Sequence, residues 1–240
     1  MLVVSAYYSI PSKEQPNFYY PNIQRFFKYV TTPVMFFTDV ENYAILKEWA
    51  GSNVRFIIQN FESLDIFKDF SQGFWQDQVK IDPEKYHTWQ LGALWASKTR
   101  FVKQASQIDP TYDWYMWVDA GCVRNDDWKI CIDAFGKRKV PDSPGVYIQL
   151  LKSIPDHKSF FQFPDVYVAG SHILLHKSYI DNYNELYAET LKTYESQRIP
   201  AIMDQYIIAS MIKTATFIYP ILYDPQLNVP CEWFFFFSVF

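Results

Sequence analysis

The segment that decides the predicted fold is Asp113-Trp114-Tyr115-Met116-Trp117-Val118-Asp119-Ala120-Gly121-Cys122-Val123-Arg124. Five large apolar or aromatic residues run into a single carboxylate, which a small residue and a glycine follow. A continuous apolar run that ends at a glycine predicts a strand buried on both faces. Ligands of open α/β sheets bind at the carboxyl edge of the strands. We therefore predict that Asp119 faces a bound polyphosphate, directly or through a divalent cation. The alternative is an ordinary Asx-type turn after the strand.

Composition limits the classes of protein to which this chain can belong. Its 240 residues suit one large domain, and 49% hydrophobic with 20% charged residues is a globular balance. A net charge of −4 argues against a broad basic surface for nucleic acid. Three cysteines, which cannot all pair and lack metal spacing, indicate a reducing compartment and hence the cytoplasm. No apolar run approaches the roughly 20 residues of a membrane span, and peripheral attachment to a membrane is left open.

The first half of the chain alternates between strand and helix patterns. Strands are predicted over 2–8, 33–38 and 54–58, with helices over 18–30 and 42–50. Such repeats predict a parallel sheet with right-handed crossovers. Residues 60–80 are predicted to form a loop with helical turns. Asp82-Pro83-Glu84 then resembles a helix start, and the helical pattern continues to Ile108 with a break near Gly92 or Ser97.

The second half departs from this alternation. A short helix is predicted over 130–135, strands over 145–150 and 166–175, and a helix after Ser178, which together with Asp181 resembles a capping box. Gly170 inside a strand pattern indicates a bulge or a ligand close to the backbone. The aromatic tail, residues 233–240, is either a last buried strand or an apolar surface segment.

Polar residues at strand and helix ends are the candidates for chemistry. Asp39 ends the second strand and either binds a ribose hydroxyl or a base, or caps a helix. Lys98 is an ammonium on an apolar helix stripe and either extends to the rim or neutralises a phosphate. Asp204 either caps a late helix or faces a sugar hydroxyl.

Other catalytic patterns are absent from the sequence. There is no G-x-S-x-G, no glycine-rich phosphate loop and no H-E-x-x-H. The four histidines show no ligand spacing on a plausible helix, and a lone histidine is usually structural or solvated.

Motifs between Tyr86 and Arg124 resemble the HtrL/YibB-type family of bacterial and viral proteins. The family pattern W-x-S-K…F-V-x-E-A…N-P…W-x-D-x-G-C-x-R is matched except at Gln104, where an acid is usual, and at Asp109, which replaces Asn. The segments Val4–Tyr8 and Phe36–Asp39 also fit the family pattern. About half the chain is covered.

The order of these motifs is also similar to that of A-type-fold glycosyltransferases. This resemblance implies a single α/β domain with a Rossmann-like nucleotide-sugar half (1–125), a mixed central sheet and an acceptor half (126–240). Those enzymes hold Mn²⁺ or Mg²⁺ with a D-x-D motif, whereas here Gly121 replaces the second Asp. Asp119 would then be the metal ligand, helped by the diphosphate and by Asp224 or a histidine. The resemblance implies a nucleotide-sugar site of Ala6, Tyr7, Thr38, Asp39, Lys98, Asp119, Gly121, Arg124 and Gly170, with Asp204 and Gln205 as catalytic residues.

The reaction implied is glycosyl transfer from a nucleoside-diphosphate sugar, in the first instance a UDP-sugar, to a glycan or other hydroxyl acceptor. Lys98 and Arg124 would stabilise the negative charge of the leaving diphosphate. Asp204 would be the general base if the reaction inverts, and Asp204-Gln205 would lie beside the sugar if it retains. The alternative is a non-catalytic carbohydrate-binding protein, consistent with Gly121 and the 20% aromatic content. A nucleotidyltransferase ranks third, because it usually needs a second carboxylate or a phosphate loop.

Overall fold

The computed structural model describes residues 1–12, 14–129, 140–224, 226 and 236. The strands are β1 (Leu2–Tyr7), β2 (Val34–Thr38), β3 (Val54–Ile58), β4 (Trp114–Val118), β5 (Val146–Leu150), β6 (Val168–His176) and β7 (Ile218–Leu222). The helices are α1 (Pro16–Tyr29), α2 (Val40–Leu46), α3 (Ile66–Asp69), α4 (Gln72–Ile81), α5 (Trp89–Ala96), α6 (Lys98–Ile108), α7 (Ile180–Ser196) and α8 (Asp204–Ile212). Short 3-10 turns occupy Phe61–Ser63, Asp126–Trp128 and Lys177–Tyr179.

The seven strands form one mixed sheet in the order β3-β2-β1-β4-β6-β5-β7. The neighbours β3, β2, β1 and β4 are all parallel. β6 is antiparallel to both β4 and β5, and β7 runs parallel to β5. The predicted α/β class with a mixed central sheet is confirmed. Because the chain leaves β1 toward β2 on one side and later returns to β4 on the other, the carboxyl ends of β1 and β4 border a topological switch point.

The apolar strands bury both faces, as the sequence predicts. In β4, Tyr115 and Trp117 pack into the core beneath α4 to α8, whereas Trp114, Met116 and Val118 pack beneath α1 and α2. The period of two along a strand produces this division, since successive side chains point to opposite faces. Helices therefore cover the sheet on both sides, and the ends of the strands are where a ligand could approach.

Two predictions between residues 60 and 108 are wrong, one for a loop and one for the start of a helix. Residues 72–81 form α4, which Ser71 caps through its side chain, rather than part of a loop. The next helix begins at Trp89, because Thr88 accepts the cap hydrogen bond from Leu91 N, and not at Asp82. The predicted break occurs at Ser97, which separates α5 from α6.

Three other predicted segments also differ. α2 covers Val40–Leu46 rather than 42–50. The capping box before α7 is wrong, since the Ser178 hydroxyl is paired with His176 Nδ1 instead of capping the helix. The predicted helix over 130–135 lies outside the described residues, as does the tail apart from Phe236, which is buried. Among the helices that the structure describes, none is both long and apolar enough to cross a membrane.

Candidate functional site

Asp119 directly follows β4 and extends its pairing with β6. Its backbone N–H donates to Ser171 O at 2.8 Å, and the indole Nε1 of Trp117 donates to its Oδ1 at 2.7 Å. These bonds fix the carboxylate at the edge of the sheet. Its side chain is 35% exposed, so Asp119 presents a fixed negative charge that a ligand can reach.

Lys98, the first residue of α6, lies beneath this carboxylate. Its Nζ is 3.1 Å from Asp119 Oδ1 and 2.9 Å from Asp204 Oδ2, and it donates to Gly170 O at 2.7 Å. An ammonium has three N–H donors, and three protein acceptors surround this one. The sequence alternative that Lys98 extends to the rim is wrong, because its side chain is only 6% exposed.

The charges of this cluster, Lys98 with Asp119 and Asp204, leave a net negative charge of one when all three groups are ionised. Burial alone would lower the pKa of Lys98, but the two carboxylates outweigh burial and raise it, so the lysine stays charged. Burial raises the pKa of Asp204, and Lys98 opposes that rise. The ammonium occupies the space between the two carboxylates and partly neutralises both.

Asp204 is the first residue of α8 and not its cap, which is Met203. It is almost fully buried beside Gly170, where an added Cβ would lie 3.1 and 3.2 Å from its carboxylate oxygens. Gln205 is also buried and its Nε2 donates to Val168 O. The register between β5 and β6 shifts around Gly170, so the predicted bulge is present. The group close to its backbone is the start of α8 rather than a ligand.

The burial of Asp204 changes the role that fits it. A general base must reach the hydroxyl that it deprotonates, and in this arrangement the Asp204 carboxylate is paired with Lys98 and closed off from solvent. The contact that the structure gives it is the ion pair with Lys98, at 2.9 Å. A direct contact between Lys98 and a phosphate would require the ammonium to give up one of its three acceptors.

Residues at the ends of β1 and β2 have mainly structural contacts. Thr38 Oγ1 donates to Tyr7 O at 2.7 Å and ties β2 to β1. Asp39 caps α2, accepting from Asn42 N at 2.8 Å, so the helix-cap alternative is realised. Burial raises the pKa of Tyr7 to about 12, and its ring packs on Tyr19.

The other sequence candidates lie around the same edge without a shared contact. Ala6 is buried within β1. Gly121 lies against the ring of Tyr19, 3.3 Å from where its Cβ would be. Arg124 is exposed, and its backbone O accepts a hydrogen bond from Arg25 Nη1 at 3.3 Å. Whether these residues bind a nucleotide sugar stays a prediction.

A pocket of about 460 Å³ opens over the ends of β1, β2 and β3. Its polar lining includes Ser9, Asp39, Glu41, Asn60, Glu62 and Gln90, and Trp89 closes one side. No lysine or arginine is among the described residues that line it. The lining therefore offers mainly hydrogen-bond acceptors, which suit the N–H and O–H groups of a neutral ligand.

Tyr8 lines the same pocket and was missed by the sequence analysis. It is buried, packs edge-on against Phe61, and its hydroxyl makes no hydrogen bond with any described residue. An unpaired buried hydroxyl is unfavourable unless a ligand or water completes it. Its position directly after β1 was a usable signal, because that strand end borders the switch point.

Whether Asp119 helps to hold a divalent metal stays a prediction. Among the described residues its carboxylate is the one of the cluster that is open to solvent, since that of Asp204 is buried, and Trp117 and Lys98 already contact it. Asp224, the predicted helper, accepts a local hydrogen bond from Gln226 N at 2.9 Å. Divalent ions of this kind are commonly held by more than one carboxylate together with phosphate oxygens.

Comparisons with known proteins give the following results. No family model matches the chain, and no curated protein matches it. The fold is similar to that of a glycosyltransferase involved in the glycosylation of the major capsid of PBCV-1, with 11% identity, a TM-score of 0.44, and 93% of this chain and 81% of that chain covered. It is also similar to a CMP:2-keto-3-deoxy-manno-octonic acid synthetase complexed with CTP, with 11% identity, a TM-score of 0.43, and 92% and 89% covered. At this level of sequence identity the comparison concerns the fold alone and gives no information about the reaction.

Proposed function

We propose that the protein binds a nucleoside-diphosphate sugar along the carboxyl edge of β1 to β4 and transfers its glycosyl group to a hydroxyl acceptor. The observation that carries this proposal is the fixed, reachable carboxylate of Asp119 at the switch point, with an acceptor-rich pocket on the neighbouring strands. Open α/β sheets bind ligands at this place.

The pocket suits the nucleoside part of such a donor. Asp39, Glu41 and Glu62 offer carboxylates to base N–H groups and ribose hydroxyls. Neighbouring strands lie about 4.8 Å apart, so the pocket crosses about 10 Å of sheet edge. The register of β1 with β4 places Asp119 one strand beyond it. An extended ligand would therefore reach Asp119 with its sugar end.

The reaction would break the bond between the sugar C1 and the β-phosphate oxygen, whose electron pair leaves with the diphosphate. A new bond forms between C1 and the acceptor oxygen, and the acceptor loses its proton. Asp119 is the carboxylate placed to accept a hydrogen bond from the sugar or that proton. Lys98 reduces the repulsion that the carboxylates of Asp119 and Asp204 exert on the diphosphate. With the ammonium between them, the net charge of the cluster is −1 rather than −2.

The proposal is tested by ligand binding and turnover measured on the same samples. The melting temperature is recorded with uridine, guanosine, cytidine and adenosine diphosphates and their sugars, with and without Mn²⁺, and release of the nucleoside diphosphate is then followed with glycan acceptors. We expect a rise in melting temperature with one nucleotide class, and we place uridine first. Because the cluster keeps a net charge of −1 with Lys98 included, we expect the shift to be larger with Mn²⁺, which would offset the charge of the diphosphate.

Substitutions separate the two parts of the site. Asp119→Asn should retain the nucleotide-induced shift but lower turnover on the order of 10²-fold or more. Glu62→Gln, which neutralises one carboxylate of the pocket lining, should weaken nucleotide binding, and the exposed Asp77→Asn should change neither. If no nucleotide shifts the melting temperature, the proposal fails. Nucleotide binding without turnover, unaffected by Asp119→Asn, would instead support the non-catalytic binding protein.

A further inference from the structure

A second cluster of metal-binding side chains lies away from Lys98, in the segment that joins α4 to α5. Asp82, Glu84 and His87 each offer a ligand atom, and these atoms all lie within 4.8 Å of one another. Across the described part of the chain, no other trio of His, Cys, Asp or Glu residues satisfies this condition. The spacing of the four histidines does not reveal this cluster, because two of its three ligands are carboxylates.

Burial distinguishes this cluster from the acidic groups on the surface. The side chains of His87 and Asp82 are 1% and 5% exposed, and His87 Nδ1 lies 2.7 Å from Asp82 Oδ2. The ring of His87 packs against Trp95 of α5, with 5.3 Å between centroids. An imidazole and a carboxylate are thus held side by side inside the protein, and the two atoms would separate by roughly half an ångström to bind one ion at about 2.0–2.1 Å each.

Glu84 completes the set and is held by two tyrosines. Its Oε1 accepts from Tyr86 at 2.7 Å, and its Oε2 accepts from Tyr206 of α8 at 3.4 Å. Among the described residues, His87 is the only basic partner that pairs with these carboxylates, since Lys85 Nζ is bonded to the backbone O of Asp82. Two carboxylates therefore share one imidazole, and the cluster carries uncompensated negative charge in a largely buried place.

We propose that Asp82, Glu84 and His87 bind a divalent first-row transition ion, Zn²⁺ or Mn²⁺. Three protein ligands with water in the remaining positions is a common arrangement for such ions. The imidazole favours them over Mg²⁺ and Ca²⁺, which prefer oxygen ligands. The ion would replace the hydrogen bond between His87 Nδ1 and Asp82 Oδ2, and these two atoms would move apart to bind it.

The ion would hold a wall of the candidate pocket. His87 is followed by Thr88, whose Oγ1 donates to Pro11 O at 2.6 Å, and Trp89 and Gln90 line the pocket. Tyr206 links the cluster to α8, which begins with Asp204. The ion would therefore hold this wall of the pocket in place, and the metal site does not depend on whether a nucleotide sugar binds.

The test measures the metal content and the melting temperature of the 240-residue chain. The protein is stripped with a chelator, exposed to Zn²⁺, Mn²⁺, Mg²⁺ or Ca²⁺, and exchanged into metal-free buffer. We expect one equivalent of Zn²⁺ or Mn²⁺ to be retained with a higher melting temperature, and less than a tenth of an equivalent of Mg²⁺ or Ca²⁺. Co²⁺ should give a visible absorption band that reports the nitrogen ligand.

Variants assign the ion to these residues. His87→Gln and Glu84→Gln should each weaken retention at least tenfold, and His87→Gln should remove the Co²⁺ band. Glu84 is only partly buried, so its variant remains informative if His87→Gln fails to fold. Asp119→Asn, in the other site, should retain the full equivalent. Retention by both cluster variants equal to that of the wild type, or no uptake by the stripped protein, overturns the proposal.

Discussion

Lys98 has a buried positive charge whose partners come from separate stretches of the chain. Asp119 follows β4, Gly170 lies in β6, and Asp204 begins α8. An ammonium removed from water is tolerated only when charge and hydrogen bonds replace its hydration. The same three contacts that satisfy Lys98 also hold the two carboxylates in place.

Lys98→Met should destabilise the protein by about 3–5 kcal/mol, because it leaves Asp204 buried without a counter-charge. Urea unfolding measures this free energy. The matched control on the same helix is Lys103→Met. Lys103 pairs with Asp181 at 2.7 Å, but both side chains are exposed. This substitution should therefore lower the free energy of unfolding by less than about 1 kcal/mol.

A second substitution identifies the cause. Asp204→Asn in the Lys98→Met background should recover part of the lost stability, since the unpaired buried charge is then gone. If the double variant is as unstable as the sum of the single variants, the ion pair is not the source of the effect.

His172 should make stability depend on pH. Burial, with a smaller effect of Lys98, lowers the pKa of His172 to about 3. In the unfolded chain its pKa is about 6.5, so the unfolded state binds the proton first as the pH falls. Stability is therefore lost below about pH 6.5, by about 2 kcal/mol between pH 7 and pH 5.

Unfolding curves across that pH range test the role of His172. His172→Gln should flatten the dependence on pH, whatever it does to stability at pH 7. His157→Gln, an exposed histidine in a loop, should leave the slope unchanged. An unchanged slope in His172→Gln would mean that other groups cause the acid sensitivity.

At the scale of elements, the start of α8 depends on the absence of a side chain at Gly170. A Cβ there would lie 3.0 Å from Gln205 Cγ and about as close to the Asp204 carboxylate. Gly170→Ala should therefore push α8 away from β6 and destabilise the protein by about 1–3 kcal/mol. It should also lower turnover, because Asp204 pairs with Lys98.

Gly73→Ala in α4 is the control for this substitution. A Cβ at Gly73 meets only Ser71 Oγ at 3.5 Å, and alanine in a helix should stabilise by roughly 0.5–1 kcal/mol. Thermal unfolding distinguishes the two variants by the sign of the change. A stable, fully active Gly170→Ala would show that α8 is free to shift.

The start of α5 shows why residue types in a local segment do not always predict where a helix begins. Asp82-Pro83-Glu84 has the residue types of a helix start, yet the Asp82 side chain accepts from Glu84 N and pairs with His87. Thr88 caps α5 instead and at the same time bonds to Pro11. The start of α5 depends on the tertiary contacts of Asp82 and Thr88. These contacts cannot be recognised from the sequence of the segment alone.

At the scale of the whole molecule, the strands and their parallel half could be predicted because β-α-β connections are local. The place of β6 between β4 and β5 could not, since it depends on pairing between distant strands. Asp119, Lys98 and Asp204 were named together from sequence, but the burial of Lys98 and Asp204 was not foreseen. The pocket at Tyr8 and the cluster at His87 arise from packing of separate segments. The HtrL/YibB resemblance stays a prediction.

The insertion of β6 also has a consequence for the order in which a growing chain can fold. A chain synthesised through residue 125 already contains β1 to β4, but one edge of the apolar strand β4 has no partner until β6 has been made. Lys98 in the same nascent chain has Asp119 beside it and no Asp204. A chain that ends at residue 125 would therefore expose an apolar edge prone to aggregation, which β6 of the second half covers in the folded protein.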